Sequence, residues 1–263
     1  MLYLIGLGLS WKDLSMKALE ALNICEEVYL EGYTSVADFT PLQLQRLLGK
    51  PVHVLDRKQV EEGMIFLGDA EVKNAALLIY GDPLAATTHQ EILQLAKKRN
   101  IETKVIHAPS IFTAVAETGL SLYRFGKVAS IPISEKGFEP ESFFDILKGN
   151  LSNDAHTLFL LDLKPSEGKF LTIPDAIKIL LELNKKHKDN IFTEESLCIG
   201  IARLGTENAF WKADKALELT KVDFGNPPFC LIVPAKLNHK EQEYLETQAE
   251  RSSAGPSEII SLG

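Results

Sequence analysis

An apolar run, Leu77-Leu78-Ile79-Tyr80, ends abruptly in Gly81-Asp82-Pro83, and Leu84-Ala85-Ala86-Thr87-Thr88-His89 then opens a helical pattern. This reads as a buried strand, a tight loop and a helix start. In open α/β sheets, ligands bind beyond the carboxyl ends of strands, where Asp82 would sit. Gly81 lets the backbone bend where a β-carbon would clash. Pro83 biases Asp82 toward an extended conformation. The loop carries a carboxylate rather than a lysine, which suits a cationic or hydroxyl-rich ligand and repels phosphate. It also reads as a plain strand-to-helix turn capped by polar residues.

The pattern around this loop repeats. Apolar strands are expected at 2–7, 28–30, 52–55, 74–80 and 103–106, with helices at 12–23, 58–72 and 88–99. A further helix over 41–48 opens with Thr40-Pro41 and closes at Gly49. Strands alternating with helices imply a parallel, doubly wound sheet for residues 1–108. Past Ala108-Pro109-Ser110 the texture changes. Helices are expected at 111–121, 174–184 and 238–250, strands at 128–131, 157–162, 197–202 and 229–233, and a loop at 136–140. Only two long helices separate these strands, so a mixed sheet is expected here. The sequence therefore predicts two α/β domains, 1–108 and 109–263; strand ends converging from both would make a ligand cleft between them.

Composition removes several classes. The chain has 263 residues, 45% of them apolar, enough for a packed core. Mean hydropathy is near zero and no 18-residue apolar run occurs, which speaks against a membrane span or membrane partner. The start, Met1-Leu2-Tyr3-Leu4-Ile5-Gly6, reads as a strand rather than a signal peptide. A net charge of −8 disfavours nucleic acid as a partner. Cys25, Cys198 and Cys230 are odd in number and share no metal spacing, as expected of reduced thiols in a cytoplasmic protein.

Gly6-Leu7-Gly8 after the first strand invites a dinucleotide reading, with Glu31 as the ribose-binding acid. The third glycine of that fingerprint is missing, since position 11 is Trp. There is no Gly-Lys-Ser/Thr triplet, no Gly-x-Ser-x-Gly elbow and no paired histidine spacing for a metal. The six histidines read as strand-end, cap or surface residues. Ser110, after a strand and opening a helix, serves as an N-cap or helps bind a ligand carboxylate. Asp82, Ser110, Leu161 and Leu204 all fall at or just after strand ends. Converging, they would suit a zwitterionic ligand with a flat ring and hydroxyls.

The order of Ile5-Gly6-Leu7-Gly8-Leu9, Gly81-Asp82-Pro83-Leu84-Ala85-Ala86-Thr87-Thr88-His89, His107-Ala108-Pro109-Ser110-Ile111, Tyr123-Arg124-Phe125-Gly126-Lys127, His156–Leu163 and Asp223-Phe224-Gly225-Asn226-Pro227-Pro228 resembles the diphthine synthase family, within the tetrapyrrole methylase class. The resemblance runs from residue 1 to about 250. It implies two α/β domains, a homodimer and S-adenosyl-L-methionine as methyl donor, leaving S-adenosyl-L-homocysteine. Carried over motif by motif, it places cofactor contacts on Leu9, Asp82, Ala85, Ser110, Ile111, Leu161, Leu204 and Phe229. Phe229 stands where the family often has histidine, and Arg203-Leu204-Gly205-Thr206 departs from the family's Arg-Ala-Gly-Ser. The implied substrate is elongation factor 2 bearing a 3-carboxy-3-aminopropyl histidine, whose amine is trimethylated. No side chain stands out in the sequence as a base, and no metal is implied. The sequence leaves three alternatives open: a nicotinamide-dependent oxidoreductase, a tetrapyrrole-class methylase acting on a small molecule, and a non-enzymatic binding platform.

Overall fold

The computed structural model describes residues 1–134 and 140–251. The loop expected at 136–140 lies, apart from Pro140, outside the described residues, as does the polar tail. Contacts within the chain divide it into two compact units, Met1–Ala114 and Val115–Gly263. The turn at 108–110 lies inside the first.

The first unit is built on a five-stranded parallel sheet of order β3-β2-β4-β1-β5. Its strands are β1 (Leu2–Gly6), β2 (Glu27–Glu31), β3 (His53–Leu55), β4 (Ala75–Ile79) and β5 (Thr103–Ile106). β1 and β4 are buried along their whole length. Their side chains alternate between two cores, as strand geometry requires. Leu2, Leu4, Ala75, Leu77 and Ile79 pack on one face with Phe66 and Leu67, while Tyr3, Ile5, Leu7, Ala76 and Leu78 pack on the other with Ala18 and Leu22. This is the doubly wound sheet the sequence predicts.

The helices differ in detail. α1 is Met16–Ile24 rather than 12–23, because the Ser15 hydroxyl accepts from the Ala18 N–H and starts it there. α2 (Pro41–Leu48) is capped by Thr40 and closed by Gly49 at φ 65°, as expected. The helix expected over 58–72 breaks at Met64, φ 43°, leaving a wide turn at 59–63 and then α3 (Ile65–Val72). α4 is Gln90–Lys98. Residues 111–121 form α5 (Ile111–Ala114) and a 3-10 turn at Val115–Thr118, ended by Gly119 at φ 84°.

The second unit holds a mixed sheet of order β11-β10-β12-β7-β6, in which only the β6–β7 pair is parallel. The strands are β6 (Ala129–Ile131), β7 (Thr157–Leu161), β10 (Leu197–Ala202), β11 (Phe210–Lys215) and β12 (Phe229–Val233). A two-residue pair, β8 (Leu163–Lys164) with β9 (Lys169–Phe170), stands apart from it. α6 (Ser142–Ser152) and α7 (Ile173–His187) cover the sheet through Phe143, Phe144, Leu147, Ile177 and Leu180. α8 (Ala216–Leu219) is short, and α9 (His239–Arg251) is the last element. Among the described residues, no helix is long and apolar enough to cross a membrane.

Candidate functional site

The ends of β1 and β4 are tied together by two glycines. The Gly8 N–H donates to the Gly81 carbonyl at 3.2 Å, and the Gly81 N–H returns a bond to the Gly8 carbonyl at 2.8 Å. Gly8, at φ 78°, has no room for a side chain, since a β-carbon would fall 2.2 Å from that of Asp13. Asp13 fills this turn from inside: its Oδ2 accepts from the Leu9 and Ser10 N–H groups at 2.8 and 3.0 Å. In a dinucleotide site these N–H groups would face a pyrophosphate. Here an internal carboxylate already holds them, so Gly6-Leu7-Gly8 is no phosphate cradle.

Gly81 is different. At φ 69°, a β-carbon there would meet nothing within 4 Å, so the loop backbone is bare on an open side. Next to it the largely buried Asp82 carboxylate collects three donors. Oδ1 accepts from the Leu84 N–H at 3.0 Å; Oδ2 accepts from His107 Nδ1 at 2.7 Å and from the Ala108 N–H at 3.2 Å. A carboxylate offers about four lone-pair sites. Asp82 therefore ties the Gly-Asp-Pro loop to the end of β5 and keeps one acceptor position, on Oδ1, for something else. The Ala85 N–H closes a turn onto the Asp82 carbonyl at 3.2 Å.

Beneath the loop lies a buried ion pair. His89 Nδ1 is 2.9 Å from the Pro83 carbonyl, and Nε2 is 2.6 Å from Glu31 Oε2. Glu31 is wholly buried, and Oε1 has no partner among the described residues. The Glu31 contact meets ion-pair distance but not hydrogen-bond geometry. Burial works against a charged ring at His89, yet Glu31 and the Pro83 carbonyl outweigh it and raise its pKa. Burial, and after it the Glu31 charge, likewise raises the Tyr80 phenol. A carbonyl can only accept, so Nδ1 must carry a proton, and the pair braces Pro83 from below. His89 does stand at the N-cap position of α4, as a cap reading expects, but its side chain caps nothing and is spent on Pro83 and Glu31. Glu31, wholly buried in this pair, is not placed as a ribose-binding acid.

Ser110 is buried; its hydroxyl accepts from the Phe112 N–H at 3.3 Å, the N-cap role expected of it, and Ile111 begins α5. In the second unit Leu161, Leu204 and Phe229 are all buried, and Leu161 and Phe229 belong to its main core. What these three can offer a ligand is main chain. Leu204 follows Arg203, which has φ 53°. The Arg203 guanidinium donates to the carbonyls of Asn208, Phe224 and Asn226, so it ties the 203–208 turn to the Asp-Phe-Gly-Asn loop.

Another motif residue is structural. Arg124 of Tyr-Arg-Phe-Gly-Lys pairs with the buried Glu241 of α9. Glu241 also accepts from the Ser121 and Asn238 N–H groups at 3.0 Å each, and lies 3.3 Å from His156 Nε2. Burial opposes its charge, but these donors hold its pKa down at about 2. His156 is fully buried and stands immediately before β7, the strand-end alternative of the reading rather than the surface one. Its Nδ1 accepts from the Ala235 N–H at 3.0 Å. Nothing in the sequence singled out Glu241, Asp13 or the Glu31–His89 pair as partners, although a glutamate within an apolar strand is itself a sign of buried pairing.

The first unit thus presents an open main-chain edge at Gly81, a carboxylate with one free acceptor position and an exposed histidine, with no phosphate nest. Among the described residues, no cluster of three or more His, Cys, Asp or Glu could hold a metal ion. This donor set fits a cationic, non-phosphorylated ligand such as S-adenosylmethionine.

Residues 1–209 match the family model of tetrapyrrole (corrin/porphyrin) methylases. The chain is 39% identical to a diphthine synthase of Methanocaldococcus jannaschii over 95% of this chain and 99% of that one. It is 36% identical to an Arabidopsis thaliana protein named as a probable diphthine methyl ester synthase, over 94% and 97% of the two chains. A crystal structure of a diphthine synthase superposes with a TM-score of 0.86 at 36% identity, covering 95% of this chain and 96% of that one. With a match over most of its length and relatives this similar across nearly all of it, the chain belongs to the tetrapyrrole methylase family, among the diphthine synthases, and is a methyltransferase.

Proposed function

We propose that this chain transfers methyl groups from S-adenosylmethionine to the amine of a 3-carboxy-3-aminopropyl histidine on elongation factor 2, carrying it to the trimethylammonium stage. The observation that carries this reading is the free acceptor position of Asp82 beside the open face of Gly81, in a chain closely similar to diphthine synthases. When bound, the cofactor supplies a methyl group on a sulfonium, a donor that is already activated. The protein's task is then mainly to position the reactants. Asp82 would hold a cationic group of the cofactor. Leu9, Ala85, Ser110 and Ile111 would line it, and Leu161, Leu204 and Phe229 would contribute through their main chain. Such main-chain contacts tolerate phenylalanine at 229 and leucine at 204. We place the enzyme in the cytoplasm as a homodimer.

The Arabidopsis relative favours a second reading of the product, because its name denotes a methyl ester, with methyl on the carboxylate oxygen. Labelled methyl transfer separates these readings from the rest. Elongation factor 2 bearing the unmethylated modification should take up label from S-adenosylmethionine with this chain present. Label that mild alkali releases marks an ester, and label that survives marks the amine. Binding of S-adenosylhomocysteine without transfer would turn the acceptor search to small molecules.

A further inference from the structure

His107 is exposed, while the Asp82 carboxylate 2.7 Å from its Nδ1 is not; their side chains are 67% and 15% accessible. Asp82 is held on three sides by the Leu84 and Ala108 N–H groups and by His107 itself, so its position is fixed by main chain. A carboxylate in that position accepts a hydrogen bond from Nδ1–H, which keeps the proton on that nitrogen. The neutral imidazole is then the Nδ1–H tautomer, and its second nitrogen, Nε2, carries a lone pair. Nε2 has no partner among the described residues, in contrast to both nitrogens of His89 and of His156. His107 is therefore a histidine oriented by an acid, with its basic nitrogen exposed, one residue from the Ala108 N–H that anchors the loop.

We propose that His107 Nε2 is the base that removes a proton from the acceptor amine before each methyl transfer, with Asp82 orienting the ring. The inference rests on the reaction assigned above. An alkylammonium has no lone pair, so nitrogen attack requires prior loss of a proton. That proton passes from N–H to Nε2, giving an imidazolium beside the Asp82 carboxylate. The freed lone pair forms the new C–N bond as the C–S bond breaks, its electrons returning to sulfur. The imidazolium releases its proton to solvent, and the cycle repeats on the methylammonium and dimethylammonium products. Methylation of the carboxylate oxygen needs no such step, since a carboxylate is already ionised at neutral pH.

Two variants separate a base from a merely positioning residue. In His107→Asn, the side-chain NH2 stands where Nδ1 stood and can still donate to Asp82, but nothing replaces Nε2. In His107→Ala both are lost. The expected result is a fall in kcat for N-methylation of about 10²-fold or more in both variants, the range of general-base contributions. S-adenosylhomocysteine affinity measured by calorimetry should be unchanged in His107→Asn, and added imidazole should restore turnover to His107→Ala. Nitrogen-15 NMR of the free protein should show the neutral His107 ring as the Nδ1–H tautomer, and Asp82→Asn should abolish that preference. His107→Asn turnover within about threefold of wild type, or an Nε2–H tautomer, would overturn the proposal while leaving the methyltransferase reading intact. Failure of the wild-type chain to methylate the modified histidine would sink both.

Discussion

Asp82 carries two loads that a substitution can separate. Of its three accepted hydrogen bonds, the one from the Leu84 N–H sets the loop's own turn, and the two from His107 and the Ala108 N–H fasten the Gly-Asp-Pro loop to the start of the His-Ala-Pro-Ser segment. Bonds to a charged group are worth about 1.5–3 kcal/mol each when buried, less where a partner is exposed. Its remaining acceptor position is what we assign to the cofactor. Asp82→Ala should therefore still fold, because the paired strands β1 and β4 and both cores beneath them lie outside the loop. It should melt somewhat lower and bind S-adenosylhomocysteine at least about tenfold more weakly, a loss of roughly 1.4 kcal/mol. Calorimetry on a variant of native circular dichroism checks this, and wild-type affinity would remove Asp82 from the cofactor site. The sequence shows a carboxylate at a strand end, but not that its partners come from 84, 107 and 108. Partners some 25 residues apart meet only because β4 and β5 both flank β1.

At the scale of elements, legibility followed burial. β1, β4 and β12 are continuous apolar runs, buried throughout, and their positions were readable. β11, Phe210-Trp211-Lys212-Ala213-Asp214-Lys215, was not; it is an edge strand half-exposed along most of its length, and its mixed composition hides it. α6 was missed as well, although Phe143, Phe144 and Leu147 carry a helical spacing. The helix expected over 111–121 is short because it gives way to a 3-10 turn and then Gly119, where a β-carbon would overlap the Tyr244 ring.

α9 is fastened differently, by charge. Glu241 sits in its first turn and satisfies Arg124, His156 and two N–H groups. Removing one partner of a buried pair leaves the other unpaired, so Glu241→Gln should cost about 3 kcal/mol near neutral pH. The folded pKa of about 2 lies below the unfolded carboxylate value of about 4.3. The stabilisation from that difference is complete above the unfolded value and is lost as pH falls toward the folded one. Urea unfolding should thus show the gap between wild type and Glu241→Gln narrowing between about pH 5 and pH 2. A gap that stays constant over that range would mean the carboxylate is not what fastens the helix.

Across the whole molecule, the contrast between an alternating first half and an irregular second half foretold a parallel sheet followed by a mixed one, and the chain has both. The function was legible mainly through motif resemblance. Each motif also has a structural task. Asp13 fills the glycine turn and bars a pyrophosphate, Glu31 and His89 brace the loop from below, and Arg124 and Arg203 hold structure rather than substrate. Isolated propensities could not show these pairings, since each joins residues distant in sequence or masked by ordinary composition. We assign the open edge at Gly81 and Asp82 to methyl transfer onto one amine. Peptide mass spectrometry of elongation factor 2 carrying the unmethylated 3-carboxy-3-aminopropyl histidine, incubated with this chain and S-adenosylmethionine, checks that assignment. Three successive methyl increments are expected, all on the nitrogen of that one side chain. Absence of any increment there, from a chain that binds the cofactor, would remove the assignment.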